Sequence, residues 1–289
     1  MSRLTCAFAT LFSLFVMGMP MLMSSITASP QDQKLKIEDL NARHLESIGA
    51  SDARAKVGSR IASGQAKYVI RVGGTANIDG QVMIVSSGVK FRIGMKFPLQ
   101  EYPGEDLVFN GNTASTGVLP QGQRSPLSIF LNSQNLPLRE GLLSGTLSTA
   151  WPLLRMDQMQ PRLEYRGLKK IEGRQLHEVN YRPRKGSTDL KVSLYFEPET
   201  FRHVRTNYRL EISATIGTRE NPNANQEVYY SLSEEFEEFR VIDGLMLPHK
   251  YKLQYSGAGN RGTLIQDWTH LVSKITHNEK VDDQIFMMK

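Results

Sequence analysis

The pattern around which the chain is organised runs from Val192 to Ile212, VSLYFEPETFRHVRTNYRLEI. Val192, Leu194 and Phe196 alternate with Ser193, Tyr195 and Glu197. A turn follows at Glu197-Pro198-Glu199-Thr200. Beyond it Val204, Thr206, Tyr208, Leu210 and Ile212 alternate with His203, Arg205, Asn207, Arg209 and Glu211. A period of two on both sides of a proline-bearing turn predicts a β-hairpin. One of its faces is oily and the other strongly basic, the split shown by an antiparallel sheet with one wet side. His203, Arg205 and Arg209 are expected on that wet side.

The same period recurs elsewhere. Tyr68, Ile70 and Val72 alternate with Lys67 and Arg71, and Phe91, Ile93, Met95 and Phe97 alternate with Lys90, Arg92, Gly94 and Lys96. Gly73-Gly74, Asp79-Gly80, Asn110-Gly111, Glu172-Gly173, Lys185-Gly186 and Asp243-Gly244 mark turns, and Asn221-Pro222-Asn223 marks a loop. Residues 227–241 read as a long strand. Its acidic run, Glu234-Glu235-Phe236-Glu237-Glu238, is expected to be a solvated face opposite the basic strands.

Helical spacing is confined to two regions. Ile37, Leu40, His44, Leu45 and Ile48 share a stripe that Gly49 stops, with His44 packed rather than liganded. Residues 123–154 carry few charges. Ser125-Pro126 is a helix start ahead of Leu127, Phe130 and Leu131. Leu138, Leu142, Leu143, Leu147 and Trp151 then recur at spacings of three to five until Pro152. Two amphipathic helices are expected, weakened by Gly141 and Gly145 at roughly 1 kcal/mol each. Such helices depend on docking, so they serve either as a movable cover or as a plug. The fold class is α+β: one domain, mainly a strongly curved antiparallel sheet of about ten or eleven strands, with an N-terminal helix and two lid helices.

Composition adds the compartment. The chain has 289 residues. Met1-Ser2-Arg3 is a short basic head, residues 4–23 are apolar and residues 24–29 are small and polar, which reads as a signal peptide ending at Ala28. A flexible lead, 29–35, follows. Cys6, the single cysteine, precedes the apolar core of the signal, so the exported chain is expected to be free of lipidation and disulfides. That suits a soluble periplasmic monomer with no transmembrane segment after cleavage. Residues 1–28 hold Arg3 and no acid, which leaves a charge of about +5 from the formal +6. An excess of this size fits anionic lipid or an acidic envelope partner. No basic motif interleaved with aromatics points to nucleic acid.

Candidate chemistry is sparse. GAGNRG at 257–262 has the spacing of a dinucleotide fingerprint, but strands flank it on both sides where a helix is required, so it reads as a hairpin loop. The histidines, His44, His177, His203, His249, His270 and His277, include no pair at a spacing of four. No metal site, cofactor or catalytic residue is expected. What remains is a container. Tyr68, Ile70, Val72, Phe91, Ile93, Met95, Leu194, Phe196 and Tyr208 are the expected cavity wall. Leu127, Phe130, Leu131, Leu142, Leu143, Leu147 and Trp151 are the expected lid. An acyl chain gains roughly 0.8 kcal/mol per buried methylene, so it needs no strong polar contact. The rival readings are an envelope module whose basic strands bind an acidic partner, and a hydrolase whose site is assembled from distant residues.

Three segments carry a resemblance. Leu194-Tyr195-Phe196-Glu197-Pro198-Glu199-Thr200, the stretch FEEFRVIDGLMLPHKY at 236–251, and the closing run with Asn278 and Val281-Asp282-Asp283-Gln284-Ile285-Phe286 together resemble the periplasmic outer-membrane lipoprotein carrier and lipoprotein-sorting (LolA-like) superfamily. The resemblance covers nearly all of 36–289 as a single domain, with strong local matches over about 50 residues. It implies an incomplete, half-open barrel lidded by helices, a hydrophobic cavity, and transport or binding of lipids or lipid-modified proteins. It implies neither catalysis nor a cofactor.

Overall fold

A computed structural model describes residues 35–71, 75–186, 188–212, 228–259 and 262–288. The signal expected at 1–28 and nearly all of the lead lie outside them, as do Val72, the Gly73-Gly74 turn and the Asn221-Pro222-Asn223 loop. Residues 35–289 form one compact unit.

Ile37–Ile48 is helix α1, and Ser51–Ala55 is a short α2. Leu40, His44 and Ile48 are the buried stripe of α1, at spacings of four. The strands are β1 (Ser59–Arg71), β2 (Thr75–Ser87), β3 (Lys90–Lys96), β4 (Gly104–Phe109), β5 (Ala114–Thr116), β6 (Arg162–Ile171), β7 (Arg174–Arg182), β8 (Lys191–Phe196), β9 (His203–Ile212), β10 (Val228–Ile242), β11 (Leu245–Gly259) and β12 (Gly262–His277). They form one curved, open, antiparallel sheet of 12 strands, in the order β5-β4-β3-β2-β1-β12-β11-β10-β9-β8-β7-β6. That exceeds the expected ten or eleven. Every pairing joins consecutive strands except β1 with β12, where Arg60 lies opposite His277. The barrel is left unclosed between its edges, β5 and β6.

Alternation decides which side chains face in. In β3, Phe91, Ile93 and Met95 are buried while the residues between them are not. The outer face of the central strands carries an ion-pair ladder. Arg205 Nη1 lies 2.8 Å from Glu172 and 2.7 Å from Glu235, and Lys252 Nζ lies 3.3 Å from Glu235 and 2.6 Å from Glu237. Much of the basic face is thus neutralised by the chain's own acids. Within GAGNRG, strands β11 and β12 pair up to Gly259 opposite Gly262, so the glycines lie on strands and open no helix; Asn260 and Arg261 lie outside the described residues.

Two phase errors are corrected here. His203 is buried, not on the wet side. The β8–β9 register shifts so that Tyr195 faces Arg205 while Phe196 faces His203. The extra residue, Val204, is a β-bulge, and a bulge inverts the alternation for residues beyond it. The acidic run is not all solvated either. Glu234 shares its parity with Leu232 and Phe236, and all three are buried on the inner face.

The segment between β5 and β6, expected to hold two amphipathic helices, is built from shorter pieces. Pro126–Ser133 is α3, capped by the Ser125 hydroxyl, which accepts from Ser128 N–H at 3.0 Å. Leu136–Arg139 is a single turn, α4. The residues from Leu142 to Trp151 are not an α-helix: Gly145–Leu147 and Pro152–Arg155 are 3-10 turns, followed by α5 (Met156–Met159). Gly141, Ser144 and Gly145 have φ of 66°, 63° and 48°. Three left-handed residues within five break any right-handed helix there. At Gly145 a Cβ would lie 2.8 Å from the Phe236 ring, so the close approach also needs glycine. The leucine period is therefore a packing pattern without a helix. We call residues 117–161 the cover.

Candidate functional site

The cover runs from one open edge of the sheet to the other and lies across its apolar inner face. Its Leu127, Phe130, Leu131, Leu142, Leu143, Leu147 and Trp151 are all buried. So are Tyr68, Phe91, Ile93, Met95, Leu194, Phe196 and Tyr208 of the sheet, and the two sets belong to one continuous core. Ile70 is only half-buried, at the margin of that core. The residues read from the sequence as wall and lid are thus brought together, and they pack against one another. Met95 also opens onto a recess of 170 Å³ beside Glu105, Ser125 and Ser128.

The interior also holds polar groups that patterning did not single out, and they tie the cover down. Glu234, 0% exposed, accepts the Ser144 N–H, the Tyr251 hydroxyl and the Tyr208 hydroxyl, each at 2.7 Å. Removal from water pushes its carboxyl up to about 7 despite these three donors. Glu105 accepts the Ser128 hydroxyl and the Tyr102 hydroxyl, each at 2.8 Å, and burial raises it too. Each half of the cover therefore rests on a buried glutamate. In a strand reading, Glu234 could have been found from its parity with Leu232 and Phe236. Glu105, next to Gly104 and two residues from Leu107, gives a weaker signal.

Trp151 is held twice. Its Nε1–H donates to His44 Nε2 at 3.0 Å, and its ring stacks on His203 with centroids 4.4 Å apart. His44 Nδ1 lies 3.1 Å from the Phe201 carbonyl, so it carries the proton and Nε2 accepts. Burial lowers this imidazole to about 4 and lowers His203 well below the usual range. Arg60, on the inner face of β1 and 3% exposed, donates to the Thr146 carbonyl of the cover and, through Nε, to His277 at 3.0 Å. His270, 0% exposed and edge-on to Tyr251 at 5.0 Å, has both ring nitrogens without a partner among the described residues. Burial takes it down to about 3.

Two recesses flank the cover at the α1 end. One of 460 Å³ is lined by Arg54, Arg60 and Arg155 with Leu45, Ile48, Val57, Leu154 and Leu245 among others. The other, of 400 Å³, lies along Ile37, Ala42, Leu45, Met156, Pro161 and Leu163. Among the described residues no cluster of three metal-ligating side chains occurs, and no helix is long and apolar enough to cross a membrane.

No family model matches the chain, and no curated protein matches it. Solved structures are similar to it. One is a domain described as an outer membrane lipoprotein-sorting protein, from Vibrio parahaemolyticus, with 10% identity, coverage of 85% of this chain and 97% of that one, and a TM-score of 0.44. Another is a DUF1329 family protein from Desulfovibrio piger, with 12% identity, coverage of 87% and 97%, and a TM-score of 0.45. A third is a LolA superfamily protein from Nitrosomonas europaea, with 12% identity, coverage of 88% and 98%, and a TM-score of 0.42.

Proposed function

We propose that this chain is an exported, periplasmic, non-enzymatic carrier that holds a lipid or the acyl chain of a lipid-modified protein between its curved sheet and its cover. One observation carries the reading: an open sheet whose two free edges are bridged by an apolar segment with little regular structure of its own. A segment of this kind is held by docking rather than by its own helices. An acyl chain can replace its leucines on the inner face at little net loss, since each methylene it buries regains roughly 0.8 kcal/mol. The sheet, paired strand to strand, keeps its shape while the cover moves. His270, whose ring nitrogens have no hydrogen-bond partner among the described residues, is a ready contact for a polar group near the head of such a ligand.

In this reading residues 1–28 are the cleaved signal, and 36–289 are the single carrier domain, a monomer. Wall and lid are the residues named above, with Ile70 near the end of β1.

The test is direct. Protein purified from the periplasm is extracted into organic solvent and its lipid analysed. The stripped protein is then titrated with a fluorescent fatty acid. Co-purified lipid and saturable one-to-one uptake are expected. Absence of both would sink the proposal.

A further inference from the structure

The recess at the α1 end has an unusual lining. Three arginines meet there, none of its lining residues is acidic, and the walls between them are Leu45, Ile48, Val57, Leu154 and Leu245. Arg54 comes from α2, Arg60 from β1 and Arg155 from the end of the cover, so the fold gathers them from three separate elements. None of the three is in an ion pair among the described residues. Arg54 spends Nη1 on the carbonyls of Leu45 and Gly49 and makes no hydrogen bond through Nη2. Arg60 spends Nη1 on Thr146 and Nε on His277, and its Nη2 is likewise unused. Among the described residues Arg155 hydrogen-bonds the Gln158 side chain alone. Close by in sequence, Asp52 lies 3.8 Å from Lys56, and Asp243 accepts from Nδ1–H of His277 at 2.8 Å, the imidazole whose Nε2 accepts from Arg60, so neither carboxylate touches a guanidinium of the recess directly.

A guanidinium at 3% exposure without a carboxylate is costly. Gathering two more beside it raises the local positive potential further. The arrangement fits an incoming anion, since forked N–H groups match phosphate and carboxylate oxygens. The apolar walls fit no simple ion. Leu45 lines both this recess and the apolar groove along Ile37, Ala42, Met156 and Leu163, so the two lie on either side of one side chain. Glu38 is the one carboxylate on that groove, at the end away from the arginines in the lining of the other recess.

We propose that the recess and groove together bind an anionic amphiphile, with a phosphate or carboxylate head on Arg54, Arg60 and Arg155 and an acyl chain along Leu45, Met156 and Leu163. This rests on the carrier reading and assigns the charge class of the lipid, which is held here at a seat beside the cover rather than beneath it. A neutral acylglycerol would leave the guanidiniums unanswered.

The test uses delipidated full-length mature protein and three probes: hexadecyl phosphate, hexadecanol and inorganic phosphate. Hexadecyl phosphate is expected to bind at least about tenfold more tightly than hexadecanol, and inorganic phosphate far more weakly than either. Arg155→Glu, at a half-exposed position, is expected to weaken hexadecyl phosphate about tenfold and leave hexadecanol unchanged. Leu163→Glu is expected to weaken both amphiphiles. Thermal melts confirm that each variant is folded. Equal binding of phosphate and alcohol, or an Arg155→Glu variant that still prefers the phosphate, overturns this inference while leaving the carrier reading standing. Inorganic phosphate binding as tightly as hexadecyl phosphate, or indifference to Leu163→Glu, overturns the assignment of the tail. Binding of neither amphiphile removes the carrier reading and this one with it.

Discussion

The backbone N–H of Ser144 donates to Oε1 of Glu234 at 2.7 Å, and so joins a left-handed turn of the cover to the middle of β10. The acceptor is a carboxyl in no ion pair among the described residues, held by the Tyr208 and Tyr251 hydroxyls instead. Burial therefore sets its titration, and that makes the cover's anchorage depend on pH.

Glu234 is raised in the fold to about 7 from an ordinary 4.5. The folded state thus binds more protons than the unfolded one between these values. The stability it contributes is fully present below about 4.5 and is lost as pH rises through about 7, on the order of 3 kcal/mol in all. Glu105 acts with the same sign. Urea unfolding at pH 5 and pH 8 should show a smaller loss in Glu234→Gln than in the wild type. Parallel profiles in the two proteins would contradict the assignment.

His44 works on the other side. It is lowered to about 4 from 6.5, so its contribution is present above about 6.5 and is lost as pH falls through about 4. Protonation also removes the acceptor for Trp151 Nε1–H. Trp151→Phe should cost about 1–3 kcal/mol, because it keeps a buried aromatic ring but leaves His44 Nε2 unanswered. Denaturant midpoints measure this. A neutral substitution would mean that the hydrogen bond contributes nothing.

Gly145→Ala should destabilise by about 1–3 kcal/mol. Its φ of 48° disfavours an L side chain, and the new methyl would meet Phe236. Gly173→Ala is the control, at φ 85° in a surface turn with open space around it. The two should differ in the cost of the clash. Equal effects would show that the cover yields at that point without resistance.

Leu143→Ala empties part of the cover. A loss of about 2–5 kcal/mol is expected from a fully buried leucine. If the cover must move for a ligand to enter, the same variant should take up a fluorescent fatty acid faster in stopped-flow mixing. Slower or unchanged uptake would separate stability from gating.

Much of this was legible from residue order, but the limits have physical causes. Phe91, Ile93 and Met95 turned inward as their period of two requires. So did Leu194 and Phe196. His203 did not follow its neighbours, because one inserted residue, Val204, is invisible in a continuous alternation. Leu142, Leu143, Leu147 and Trp151 were rightly grouped as apolar partners of the sheet, yet the helix inferred from their spacing is absent. Spacing reports which side chains are buried together, while the backbone path is set by Gly141, Ser144 and Gly145. Glu234 was hidden by its company, since an acidic run suggests water whatever the parity of its members. Arg60 gave no signal at all: a lone arginine at the start of a strand becomes a buried donor only when the cover closes over it.

One pairing has a consequence for how the molecule comes into being. Each half of the sheet can grow by adding neighbouring hairpins as the chain lengthens, with little entropy lost per step. The seam between the halves joins Arg60 to His277, 217 residues apart. The length-dependent part of closing such a loop is about 5 kcal/mol. Until the last strand exists, β1 has nothing on that side, and two apolar half-sheets stand with their inner faces unjoined. A chain ending before residue 262 would keep every hairpin but one and still lack a continuous interior. The β12 strand is therefore the step that turns two ribbons into one vessel.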